Sequence, residues 1–168
     1  MKTLKEYVNE SIIFEGKYSQ YKNWDDVFAI AKQNKTFKES NGNGRKFEIM
    51  IGDAKLVVVF EASREVRFYE FFDKQENSLF YSGSSTFYVD EVDWDMLINN
   101  TQKWISLMQD EMDDHLKSWT RAAKSAAKKY ERSGRYEDKN MRDRYERNCT
   151  AVQFKIDQLK NLIKLIAK

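Results

Sequence analysis

The chain contains no proline and only six glycines in 168 residues. Prolines mark linkers and interrupt helices, so their absence favours long unbroken elements. A single cysteine, Cys149, excludes an internal disulfide. With one histidine, His115, it also excludes a His/Cys metal cage. The longest apolar run is Leu56-Val57-Val58-Val59-Phe60, far too short to span a membrane. The first thirty residues lack the apolar stretch of a secretory signal. No nucleophile–base pair or cofactor fingerprint is found: Asn41-Gly42-Asn43-Gly44 lacks the Lys-Ser/Thr of a phosphate loop. A non-enzymatic protein without metal or cofactor is expected.

What the chain has is aromatic and charged residues, at 14% and 33%. That aromatic content argues for a folded core rather than disorder. Net charge is only +2, but it is unevenly spread. Residues 115–168 hold 15 Lys and Arg against 6 Asp and Glu, whereas residues 1–114 hold 14 against 21. Such polarity suits an anionic partner at one end; opposite faces that neutralise each other are the competing explanation.

The hydrophobic period changes twice along the chain. Thr3-Leu4-Lys5-Glu6 reads as a capping box, and Leu4, Tyr7, Val8 and Ile12 then share a helical face. A short helix is predicted over 24–36, capped by Asn23, with Trp24, Val27, Phe28 and Ala31 inward. Asn41 to Gly44 reads as a loop. Strands follow at Phe47–Ile51, Lys55–Glu61 and Val66–Phe72, with shorter ones at Ser78–Tyr81 and Thr86–Val89. In the third, alternation sets Val66, Phe68, Glu70 and Phe72 opposite Arg67, Tyr69 and Phe71. From Asp93 a three-four spacing through Trp94, Leu97, Ile98, Thr101, Ile105, Met108, Met112 and Trp119 predicts one helix to Arg132. Ser133-Gly134 breaks it. A last helix starts near Tyr136, with a stripe of Met141, Tyr145, Cys149, Val152, Ile156, Leu159, Ile163 and Ile166. The expected fold is α+β: an antiparallel β-meander of four to five strands packed with a long C-terminal antiparallel helical hairpin at about 94–168.

The string Met1-Lys2-Thr3-Leu4-Lys5-Glu6-Tyr7-Val8-Asn9-Glu10 resembles the capsid-targeting leader of internal head proteins from T-even-type tailed phages. The likeness rests on Met1, Lys2, Thr3, Glu6, Tyr7, Val8 and Glu10; Leu4 stands where an aromatic is common. It implies a targeting helix carried by Leu4, Glu6, Tyr7, Val8 and Glu10. In that family a maturation protease cuts after Glu, with Leu or Ile two residues before it and often Gly or Ala after it. Ile13-Phe14-Glu15-Gly16 fits, with cleavage between Glu15 and Gly16. Residues 1–15 then form a removable leader and 16–168 the mature domain. An ordinary N-terminal helix docked on the core is the competing reading of the same segment. The resemblance covers only this segment and says nothing of what the mature domain does.

In that domain the strongest site candidate is basic. Lys117, Arg121, Lys124 and Lys128 are spaced four, three and four apart, on one helical face, and Arg132 and Arg135 extend the region. Lys139, Arg142, Arg144, Arg147 and three tyrosines continue it. Cations at helical pitch beside aromatics can track a phosphate backbone. A solvated charged face, offset by Glu131, Glu137, Asp138, Asp143 and Glu146, is the alternative. Asp110, Glu111, Asp113 and Asp114 form an acidic cluster read as a solvated face, and Cys149 as a small hydrophobe.

The resemblance implies a protein packaged in the prohead, trimmed by the maturation protease and ejected with DNA. It would then protect that DNA or disable a host defence enzyme by binding it. Its expected locations are the head interior and then the host cytoplasm; its partners are the prohead, its protease, packaged DNA and a host defence protein, without a membrane. A prohead core or scaffold component, and a small cytosolic nucleic-acid-binding module, are the alternatives.

Overall fold

The computed structural model describes residues 17–42 and 44–167. The chain divides into a sheet unit ending at Thr101 and a helical unit over Gln102–Ala167. The targeting residues Leu4, Glu6, Tyr7, Val8 and Glu10 and the cleavage residues Ile13, Phe14, Glu15 and Gly16 lie outside the described residues.

The sheet unit opens with helix α1, Trp24–Ala31. The Asn23 side chain accepts the Asp25 amide, and Asp26 reaches back to close a capping box. Strands β1 (Lys38–Gly42), β2 (Gly44–Ile51), β3 (Ala54–Ala62), β4 (Glu65–Phe72) and β5 (Ser78–Tyr81) form an antiparallel meander in sequence order. The two-residue β6, Phe87–Tyr88, pairs with the start of β4 and runs into a 3-10 turn at Val89–Glu91. Helix α2, Trp94–Asn99, follows, capped by Asp93.

One sheet face is buried because the strands alternate. Phe47 and Ile49 of β2, Ala54, Leu56, Val58 and Phe60 of β3, Tyr69 and Phe71 of β4, and Phe80 of β5 all point to it. Val27, Phe28 and Ala31 of α1, with Trp94, Leu97 and Ile98 of α2, are buried with them. Phe28 is the hub, with its ring 5.2 Å from Phe47, 5.5 Å from Phe60 and 5.9 Å from Phe37. Trp94 donates its indole N–H to the Val89 carbonyl at 2.7 Å, satisfying its one polar atom.

The structure corrects four expectations. β1 is a strand, where the sequence suggested that ordered strands begin at Phe47; Gly42 at its end pairs with Gly44 at the start of β2. All five β1 residues are exposed, so no apolar alternation announces it. In β4, Val66 lies on the same buried side as Tyr69 and Phe71, not with Phe68. The register jumps from Val59↔Phe68 to Phe60↔Val66, so a bulge at Arg67 flips the alternation. The first helix stops at Ala31 rather than 36, in turns held by Asn34, whose side chain accepts the Thr36 amide and donates to the Met50 carbonyl. Finally, the long helix is broken at Asn100, whose φ of −138° and ψ of 52° leave the helical region. Helix α3 then runs over Thr101–Ser133 and α4 over Tyr136–Ile166.

Gly44 has a φ of +105°, and a Cβ there would come within 2.6 Å of the Phe60 carbonyl oxygen. Gly44→Ala combines left-handed strain with a backbone clash that no rotamer relieves. It is expected to cost about 2–3 kcal/mol in urea unfolding; an unchanged midpoint would contradict this reading of the turn.

Candidate nucleic-acid interface

Helices α3 and α4 form an antiparallel hairpin through a continuous series of contacts. The Trp119 and Tyr145 rings lie 5.7 Å apart, and Thr120 Oγ1 is 3.9 Å from Cys149 Sγ. The Arg142 guanidinium lies 5.1 Å from the centre of the Tyr130 ring, and Lys129 Nζ is 2.8 Å from Asp138. On α4 the seam runs Asp138, Arg142, Tyr145, Cys149, Val152, Ile156 and Leu159, a four-three repeat. Met141, expected in that stripe, is 41% exposed, because Arg142 occupies the level one residue on. The carbonyl of Tyr130 accepts the Gly134 amide, and Gly134 has a φ of +62°, the left-handed stop that ends α3.

Asp138 fastens the tip. It is 7% exposed at its side chain and takes the Lys129 ammonium and the Ser133 hydroxyl. Ser133 Oγ in turn accepts the Arg135 amide. Asp138 also sits in the first turn of α4, where the helix dipole favours a carboxylate. Lys129, then Ser133, hold its carboxyl below the ordinary range. A lowered folded-state pKa contributes stability that is present above the unfolded value and lost as pH falls through the folded one. The tip should therefore hold firm down to about pH 4 and loosen below it. Asp138→Asn should speed amide exchange at residues 134–139 at neutral pH and remove that acid dependence; unchanged exchange would contradict the latch.

The candidate cations follow from this arrangement. Lys117, Arg121, Lys124, Lys128 and Arg132 all lie on α3 and are exposed. At about 100° per residue they fall within an arc of roughly 80°, on the side away from Trp119, Ala126 and Tyr130 of the seam. The row is about 22 Å long at 1.5 Å per residue. Lys117 pairs with Asp114 at 3.1 Å. Among the described residues, no carboxylate lies within ion-pair range of Arg121, Lys124, Lys128 or Arg132. Arg135, exposed, is the residue before α4 and lies on the turn rather than in the row. Ser125, Lys128, Lys129, Arg132 and Ser133 line a shallow open groove at the tip end of the row.

Two cations of the region are paired within the hairpin, Lys129 and Arg142, whereas Lys139, Arg144 and Arg147 of α4 are exposed. Arg142 bonds Asp143 at 2.6 Å, with Glu146 farther at 3.8 Å, and the Asp143 carboxylate raises the Arg142 guanidinium's pKa. The adjacent carboxylate is thus a closer partner for Arg142 than Glu146, one helical turn on. The anchoring of Lys129 by Asp138 was not legible in the spacing, because the pair crosses the turn. His115 is exposed. Among the described residues no group of three His, Cys, Asp or Glu side chains is placed to hold a metal, and no helix is long and apolar enough to cross a membrane.

No family model, curated protein or solved structure matches this chain. The described residues make an α+β protein with a basic helical hairpin.

Proposed function

We propose that this chain is an internal head protein of a tailed phage. The leader directs it into the prohead, the maturation protease cuts between Glu15 and Gly16, and the mature chain leaves the head with the DNA. Its basic hairpin holds nucleic acid, and in the host it protects that DNA or occupies a defence enzyme. The observation that carries the reading is how the sheet unit holds Tyr18 and Tyr21, just after the expected cut. The Tyr18 amide, on the third residue after the expected cut, donates to the Asp90 carbonyl at 2.9 Å. Tyr21, 6% exposed, then donates its hydroxyl to Asp93 and accepts the Asp95 amide. These contacts are made within residues 18–95, so they persist when residues 1–15 are removed.

A prohead core component is supported less well. The sheet unit has a compact aromatic core, which a discarded scaffold does not require. A cytosolic nucleic-acid-binding module would use the same cationic row and leaves the leader-like segment without a role.

The test is thermal unfolding of residues 16–168 beside the full chain. The two midpoints should agree within about 4 °C, the shift that about 1 kcal/mol produces. A shortened chain that fails to fold would overturn the proposal.

A further inference from the structure

The outer face of α3 carries more than the row of cations, and the remainder of that face specifies the partner. Asp110 and Asp114 fall in the same arc as the cations, and Asp113 lies at its edge. All three are exposed. The Lys117–Asp114 pair marks the boundary between the blocks. One helical face thus changes sign along its length: acidic over 110–114, mainly cationic from Arg121 to Arg132, with Glu131 at the same edge as Asp113.

The face also lacks aromatic platforms. Trp119 and Tyr145 are packed on one another, and Tyr130 is covered by Arg142. Tyr136 is 73% exposed, but on α4, beyond the turn. Proteins that hold single strands combine cations with rings on which bases stack. A straight, ring-free row of cations offers phosphate contacts only. Duplex DNA is the stiffer and denser target, with one charge per roughly 1.7 Å of axis, so the roughly 16 Å from Arg121 to Arg132 runs beside about ten phosphates.

Resting on the reading that this hairpin holds nucleic acid, we propose that its partner is the backbone of double-stranded DNA, gripped without base readout by Arg121, Lys124, Lys128 and Arg132. The acidic block repels the phosphates beyond, so only the tip half of α3 lies on the duplex. Lys129 and Ser133, both bonded to Asp138, line the groove beside Lys128 and Arg132.

The experiment is fluorescence anisotropy of the full chain with a mixed-sequence duplex of about 30 base pairs, a shuffled duplex, and each separated strand, across a salt series. The duplexes should bind at least about tenfold tighter than either strand, and equally to within about twofold. The log–log salt slope should be near −3.6, the value for four phosphate contacts at about 0.9 each. D110N/D113N/D114N should tighten duplex binding by about three- to tenfold. Separated strands that bind as well as the duplex overturn the inference and leave the nucleic-acid reading standing. A large preference between the two duplexes overturns backbone-only recognition, and no response to the aspartate changes overturns the role of the acidic block. Absence of salt-dependent binding to any of these probes overturns both the inference and the reading beneath it.

Discussion

Phe28→Ala should destabilise the sheet unit by about 4 kcal/mol, a loss typical of large aromatic truncations in a core. Phe28 is 1% exposed, so the whole ring is withdrawn from water. It meets Phe37, Phe47 and Phe60, which tie α1 to β2, β3 and the chain before β1. Above it sits Arg45, its guanidinium 4.5 Å from the Phe28 ring centre and 5.0 Å from Trp24. Arg45 is held there by Asp25 at 2.9 Å and Glu39 at 3.1 Å. Removing the ring opens a cavity between three elements and takes away one face of the Arg45 stack, a further small loss. Phe28→Leu keeps most of the volume and should cost only about 1–2 kcal/mol. Urea unfolding followed by near-UV circular dichroism measures both. A loss under about 1 kcal/mol for the alanine variant would contradict the placement of Phe28 at the hub.

R121Q/K124Q/K128Q should weaken duplex binding by several hundredfold at 0.1 M salt. Each phosphate contact contributes about 0.9 to the salt exponent, so three lost contacts flatten the slope by about 2.7. At 0.1 M salt that is a factor of roughly 500. The charge-reversing R121E/K124E/K128E should bind more weakly still, since repulsion is added to the lost attraction. Both variants should leave the fold intact, since the three positions are exposed on the outer face of α3 and glutamine and glutamate are good helix formers. Far-UV circular dichroism checks that the helices persist. Unchanged affinity in a folded variant would show that the row is a solvated charged face and nothing more.

The sequence made the α+β class, the antiparallel meander and the paired C-terminal helices legible because each rests on a strong period. The two-residue alternation of Phe47 to Ile51 and the three-four spacing from Trp94 onward report faces that are buried, and burial is what those patterns encode. Where local hydrogen bonding decides, the pattern is silent. β1 has no apolar face, so Lys38–Gly42 reads as loop although it pairs along its whole length with β2. The break at Asn100 falls within an apolar stripe that continues unbroken from Ile98 to Thr101 and Ile105. The bulge at Arg67 changes which residues face inward without changing composition. On α3, the cationic row was readable from spacing alone, since four, three and four place residues on one face. Which cations remain unpaired was not, because Lys129 finds Asp138 across the turn and Arg142 finds Asp143 beside it.

Sequencing the N-terminus of this protein recovered from purified phage particles tests its proposed destination most directly. The expected terminus is Gly16, with the leader missing. A chain that still begins at Met1 inside mature heads, or particles that lack the protein altogether, would contradict that destination.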